Sequence, residues 1–180
     1  MRISAQYPLV EAASAALAVS SLWLTPDPLQ AIPLGLGLCT MLFASFTDLR
    51  TQTIPDLLLL LLCTFGLLTT LLSPSPTLWG GLVAGGFFAA QWLISRGRWI
   101  GSGDIALGLG LGLMVGGVRE GIMLLLAAYI LGAIITSVGL VSGRLTRHDS
   151  VAFGPFLGLG ALVTLWGSPL TLTWLAQRGL

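Results

Sequence analysis

Residues 120–142 read EGIMLLLAAYILGAIITSVGLVS, and after Glu120 no charged side chain appears until Arg144. A membrane-spanning helix needs about 20 mostly apolar residues, and this stretch supplies them without interruption. It does not alternate with period two, so a barrel strand is excluded and a helix follows. Working outward, further apolar runs lie at 9–24, 29–46, 57–72, 78–95, 104–117 and 151–166. Several are short for a span, and flanking residues such as Pro55, Asp56 and Ser73 complete them. The count is seven spans, or six if 104–117 and 120–142 form one broken or tilted pair. The predicted fold is all-α, a polytopic transmembrane helix bundle. The tail from Ser168 to Leu180 is too short to cross and is placed at the interface.

The composition of the 180 residues agrees: 55% are hydrophobic, 8% are charged and the mean hydropathy is +0.94. A soluble domain carries about 25% charged residues, and one small globule has too little interior to hide this much apolar surface. The net charge is +1, so no basic patch of nucleic-acid size exists. Cys39 and Cys63 stand alone inside apolar runs, and His148 is the one histidine. That excludes a disulfide framework and a zinc site, and no cofactor or metal is implied. Ala13-Ser14-Ala15 and Ala16-Leu17-Ala18 resemble signal-cleavage tripeptides but sit inside the first run rather than after it, so the run reads as a span.

All eight cations are arginines, and they set the orientation. With a cytoplasmic N-terminus, Arg2, Arg50, Arg96, Arg98, Arg144 and Arg147 lie inside, and Arg119 and Arg178 outside. Six against two obeys the positive-inside rule. The loops at 47–55 and 96–103 then face the cytoplasm. Trp79, Trp99 and Trp166 fall near span ends, as interfacial aromatics do.

Of seven carboxylates, Asp27, Glu120 and Asp149 lie in loops or at span ends, where solvation explains them. Glu11, one turn into the first span, reads as interfacial or paired with an arginine. Thr53-Ile54-Pro55-Asp56 reads as a helix start, with Thr53 as N-cap and Asp56 three residues on. Asp48 has no such local account. It ends the second run, at the negative end of its helix, where a carboxylate is disfavoured. Asp104, in Gly101-Ser102-Gly103-Asp104, could serve as an N-terminal cap. Yet Gly108, Gly112 and Gly116 recur from it at four-residue spacing, a face that lets another backbone come close. The expected neighbour is the helix ending in Asp48. Two carboxylates at one depth on one side are the pattern of an aspartic protease, with a transporter or a packing role as the alternatives. Gly101-x-Gly103-x-x-Ala106 is not a dinucleotide site, since no strand precedes it. Gly81-x-x-x-Gly85 is a helix-packing motif.

At these residues the chain resembles the type IV prepilin peptidases, membrane aspartic proteases of the GxGD kind. Four segments match in order: Tyr7-Pro8-Leu9-Val10-Glu11, Asp48 to Asp56 with its Ile54-Pro55-Asp56 ending, Gly101-Ser102-Gly103-Asp104, and Phe153-Gly154-Pro155-Phe156-Leu157-Gly158-Leu159-Gly160-Ala161. The resemblance implies Asp48 and Asp104 as catalytic aspartates. Gly101, Gly103, Gly108, Gly112, Pro55, Asp56, Gly154 and Pro155 support them. It further implies a multi-pass protein of the inner membrane that cuts the basic leader from prepilins or pseudopilins of a pilus or secretion machine. The cut falls at the cytoplasmic face. The lipid bilayer is its other partner, nucleic acid is not one, and the oligomeric state stays open. Two departures stand out. Ala106 occupies a place where many members have lysine. The CxxC-bearing region linked to N-methylation in larger members is not found, so residues 1–180 are expected to form a single peptidase domain without methyl transfer. The alternatives are an ion-coupled transporter, which calls for inverted repeats, and a catalytically silent assembly factor.

Overall fold

The computed structural model describes residues 8–25, 27–73, 77–146 and 151–167. Among them are seven helices: α1 (Pro8–Leu24), α2 (Pro28–Thr51), α3 (Asp56–Leu71), α4 (Trp79–Ser95), α5 (Ser102–Val115), α6 (Val118–Val141) and α7 (Gly154–Gly167). Each covers one apolar run of the sequence. Runs 104–117 and 120–142 are separate helices, because Gly116 ends α5 with φ +100° and Gly117 starts α6 as its N-cap. Tyr7, Arg2, Arg147, His148, Asp149, Arg178 and the tail after Gly167 lie outside the described residues, as does the side chain of Glu11.

Apolar side chains cover the outside of the bundle as well as its inside. Val141, Ile94, Leu93 and Leu57 are all exposed, while Leu34, Leu38, Leu62, Leu107 and Leu157 are buried. Water would not tolerate an apolar exterior of this extent, and lipid does. This is a helical membrane bundle, in which α2 and α6 are long and apolar enough to cross by themselves. Trp79, Trp99 and Trp166 are exposed at helix ends or in the adjoining loop.

Consecutive helices run up and down. The ends of α2, α4 and α6 therefore share one side of the bundle with the starts of α3, α5 and α7. The central element is α5, buried from Leu107 to Met114 apart from a half-buried Leu109. Four of its fourteen residues are glycine, each costing roughly 1 kcal/mol of helix propensity against alanine. Close approach on two sides offsets that cost. A Cβ on Gly112 would strike Gly80 O and lie 2.8 Å from Gly81 Cα, and one on Gly108 would lie 2.6 Å from the Phe88 ring. On the opposite side, a Cβ on Gly110 would lie 3.1 Å from Cys63 N, and one on Gly66 would strike Gly110 O. Hydrogen bonds tie both seams: Thr70 Oγ1 donates to Leu113 O at 2.7 Å, and Gly80 N donates to Gly116 O at 2.7 Å. The Gly81-x-x-x-Gly85 motif packs on Leu109 and Leu113, as expected.

Two local readings are corrected. Gly108 and Gly112 admit α4, not the helix ending in Asp48, because α4 presents Gly80, Gly81 and Ala84 at matching heights. Gly116 joins the seam through its carbonyl alone, and a Cβ there would meet nothing within 4 Å. The Thr53 cap does not form either. The N-cap of α3 is Pro55, with no side-chain capping bond, and Asp56 is the first helical residue. Thr53 instead bonds Thr51 Oγ1 at 3.1 Å.

Candidate active site

The chemistry gathers where α2 ends and where α3, α5 and α7 begin. Asp48 lies in the last turn of α2 and is only 8% exposed. Gln52 closes that helix in the left-handed region at φ 53°, its N–H donating to Asp48 O at 2.9 Å. The carboxylate itself faces the N-terminus of α7: Gly154 N donates to Asp48 Oδ2 at 2.7 Å. An acid disfavoured at the negative end of its own helix is thus stabilised by the positive end of another.

Asp104 is half-buried in the first turn of α5. Gly101 is the N-cap of that helix with no side chain to offer, and no side-chain capping bond forms there. The cap expected of Asp104 is therefore not formed; Asp104 lies three residues past the N-cap. Its carboxylate instead lines the same cavity as that of Asp48.

A cavity of about 610 Å³ joins the two. Asp48, Asp104, Asp56, Gly101 and Gly103 line it, as do Gln52, Thr53 and Ser102 at the loops. Its deeper wall is apolar, made by Leu59, Leu60, Cys63 and Ala106. Leu60 is 65% exposed on the outside of the bundle, so this wall borders the lipid-facing surface. The cavity therefore runs from polar loops, past the carboxylates, to an apolar floor. Ala106, where many relatives of the resembled family carry lysine, contributes a methyl to that floor, and its carbonyl accepts from Cys63 Sγ at 3.3 Å.

Of the residues singled out from the sequence, Asp48, Asp104, Asp56, Gly101 and Gly103 meet in this cavity. Gly154 touches Asp48, Pro55 starts α3 beside them, and Pro155 follows Gly154 in the first turn of α7. Gly108 and Gly112 lie deeper, at the α4 seam rather than in the site. Sequence reasoning missed Leu59, Leu60 and Cys63. The signal was available: they follow Asp56 by three, four and seven residues, one helix face. Ser45 was missed as well. It precedes Asp48 by one turn and donates to Gly154 O at 3.4 Å.

Comparison with known proteins identifies the family. The family model for the type IV leader peptidase family matches residues 35–137, which take in both aspartates and the whole cavity. Curated relatives of the same name, prepilin leader peptidase/N-methyltransferase, include one from Burkholderia pseudomallei, 37% identical over 94% of this chain and 58% of its own length. Others come from Xanthomonas campestris, 31% identical over 99% of this chain and 65% of its own length, and Bacillus subtilis, 25% identical over 94% and 69%. The chain belongs to the type IV leader peptidase family. It spans about 58% of the length of the Burkholderia relative. No solved structure matches it.

Proposed function

We propose that this chain is a membrane aspartic endopeptidase that removes the leader from type IV prepilin or pseudopilin-like substrates at the cytoplasmic face of the inner membrane. The observation that carries the reading is the convergence of Asp48 and Asp104, from different helices, on one cavity. Two carboxylates in a partly dehydrated site do not both ionise cheaply, so one proton is held between them. The charged member accepts a proton from the attacking water. The protonated member donates to the scissile carbonyl oxygen, and the proton taken from water passes from the first carboxyl to the leaving amine. The cavity's passage from polar loops to an apolar floor suits a cut where a polar leader meets an apolar segment.

The cytoplasmic orientation rests on charge. Among the described residues Arg50, Arg96, Arg98 and Arg144 lie at the site end of the bundle, and Arg119 lies at the other. Four against one keeps the sense of the six-to-two count.

The test replaces each carboxylate by its amide, which keeps size and removes the titratable group. Asp48→Asn and Asp104→Asn each abolish release of the leader from a purified prepilin, read as the mass of the new N-terminus. The double variant is no worse than either single one, because members of one unit are strongly non-additive. Robust cleavage by either single variant, inserted normally, refutes the pair.

A further inference from the structure

The hydrogen bond from Gly154 to Asp48 solves a problem that the sequence poses and leaves open. A carboxylate in the last turn of a helix faces unspent carbonyls, and its own helix has no free N–H to offer there. The donor must come from elsewhere, and α7 supplies one. At the start of α7 the Phe153 carbonyl accepts from Phe156 N at 3.0 Å and from Leu157 N at 3.2 Å. Pro155 has no N–H. The Gly154 N–H is therefore the donor of that turn directed outside its own helix, and it goes to Asp48 Oδ2 at 2.7 Å.

A side chain at this position would push the Asp48 carboxylate away. A Cβ on Gly154 would lie 2.7 Å from Asp48 Oδ2 and 3.3 Å from both Cβ and Cγ of Asp48. The contact is also braced from both sides. Ser45 Oγ, on α2, bonds the Gly154 carbonyl. The Phe153 ring sits 5.2 Å from that of Tyr129, 5.9 Å from Phe88 and 6.1 Å from Phe156, centroid to centroid. Those rings belong to α6, α4 and α7, so three helices hold the backbone that delivers the donor.

We propose that Gly154 is a positioning residue for Asp48: its backbone N–H holds the Asp48 carboxylate in one orientation within the cavity, and its missing side chain is what allows the approach. The inference rests on the reading of Asp48 as a catalytic carboxylate, and it adds α7 to the α2, α3 and α5 that line the cavity. The Phe153-Gly154-Pro155 segment thereby acquires a function, in which the proline leaves the glycine as the outward donor and the phenylalanine anchors it. A displaced catalytic group loses rate steeply, on the order of 100-fold for about 1 Å. The effect falls on turnover more than on substrate binding, since Gly154 does not line the cavity.

Two measurements test it. In protein labelled with 15N-glycine, the Gly154 amide, assigned by its loss in Gly154→Ala, gives a downfield proton signal that moves upfield in Asp48→Ala. A Gly154 signal that ignores Asp48→Ala overturns the bond, whatever the chain cleaves. In the second, cell-free synthesis places glycolate at position 154, which exchanges the N–H for an ester oxygen and adds no atom. The ester lowers kcat roughly 100-fold with KM within about threefold. Gly154→Ala acts in the same direction. Gly167→Ala, whose Cβ would meet nothing, stays at wild-type activity. Wild-type kcat in the ester variant overturns the positioning role. A wild-type chain that cleaves no prepilin, with the amide signal present and responsive, counts against the peptidase reading and upholds the placement of Asp48 by Gly154.

Discussion

A single methyl group at Gly112 tests whether the clamp around α5 matters to the chemistry. In Gly112→Ala the new Cβ would strike the Gly80 carbonyl oxygen and lie 2.8 Å from Gly80 C and Gly81 Cα. All three are backbone atoms, so no side-chain rotation relieves the contact. Carbon atoms pack at about 3.5–4.0 Å, so α4 and α5 must part by roughly 1 Å. Nor can α5 simply retreat, because Gly110 on its other side already faces Leu62 and the Cys63 backbone at about the closest distance a Cβ would allow. Overpacking of this kind costs about 1–3 kcal/mol of stability. A shift of α5 carries Asp104, two turns away on the same helix, by a comparable distance relative to Asp48. Activity then falls on the order of 100-fold. The assay is prepilin cleavage by purified protein in detergent or nanodiscs, with thermal unfolding measured on the same sample. Gly86→Ala is the reference, since a Cβ there meets nothing within 4 Å. If Gly112→Ala cleaves within about twofold of Gly86→Ala, positional coupling between the glycine seam and Asp104 is refuted.

Two further outcomes are expected. Asp56→Asn retains cleavage within a few-fold of wild type, because Asp56 sits exposed at the first position of α3 and the carboxylate pair is complete without it; loss approaching that of Asp48→Asn, under the same assay conditions, would bring Asp56 into the chemistry. With Cys39 and Cys63 replaced by serine, Trp99→Cys in the exposed α4–α5 loop reacts with a membrane-impermeant maleimide only after the cells are opened. Ready labelling of intact cells would reverse the orientation and put the cavity on the outer side.

Much of the architecture was legible without coordinates because membrane helices answer to one local constraint. Each must satisfy its own backbone and show an apolar surface in every direction, so unbroken apolar runs such as 120–142 locate them directly. Asp48 was legible for a related reason. A carboxylate at the negative end of an apolar helix has no local account, and an unexplained charge points to partners elsewhere. Asp104 was recognisable through Gly101-Ser102-Gly103-Asp104, even though the cap that its position suggests does not form.

Which helix meets which could not be read in this way. Gly108 and Gly112 announce that some backbone approaches, but small residues carry no address, and Gly80, Gly81 and Ala84 made α4 the partner rather than α2. The start of α3 went astray at closer range. Thr53 satisfies the sequence rule for a cap, yet the left-handed turn at Gln52 and the Thr51–Thr53 hydroxyl contact take it out of position. The donor to Asp48 comes from a residue 106 positions later. Its selection depends on where α7 docks and on which N–H of its first turn is left unspent. Local sequence determines the helices, their ends and the charges that do not belong in lipid; only the packing of α4, α5 and α7 against one another decides which of those charges face a common cavity and which amide holds them there.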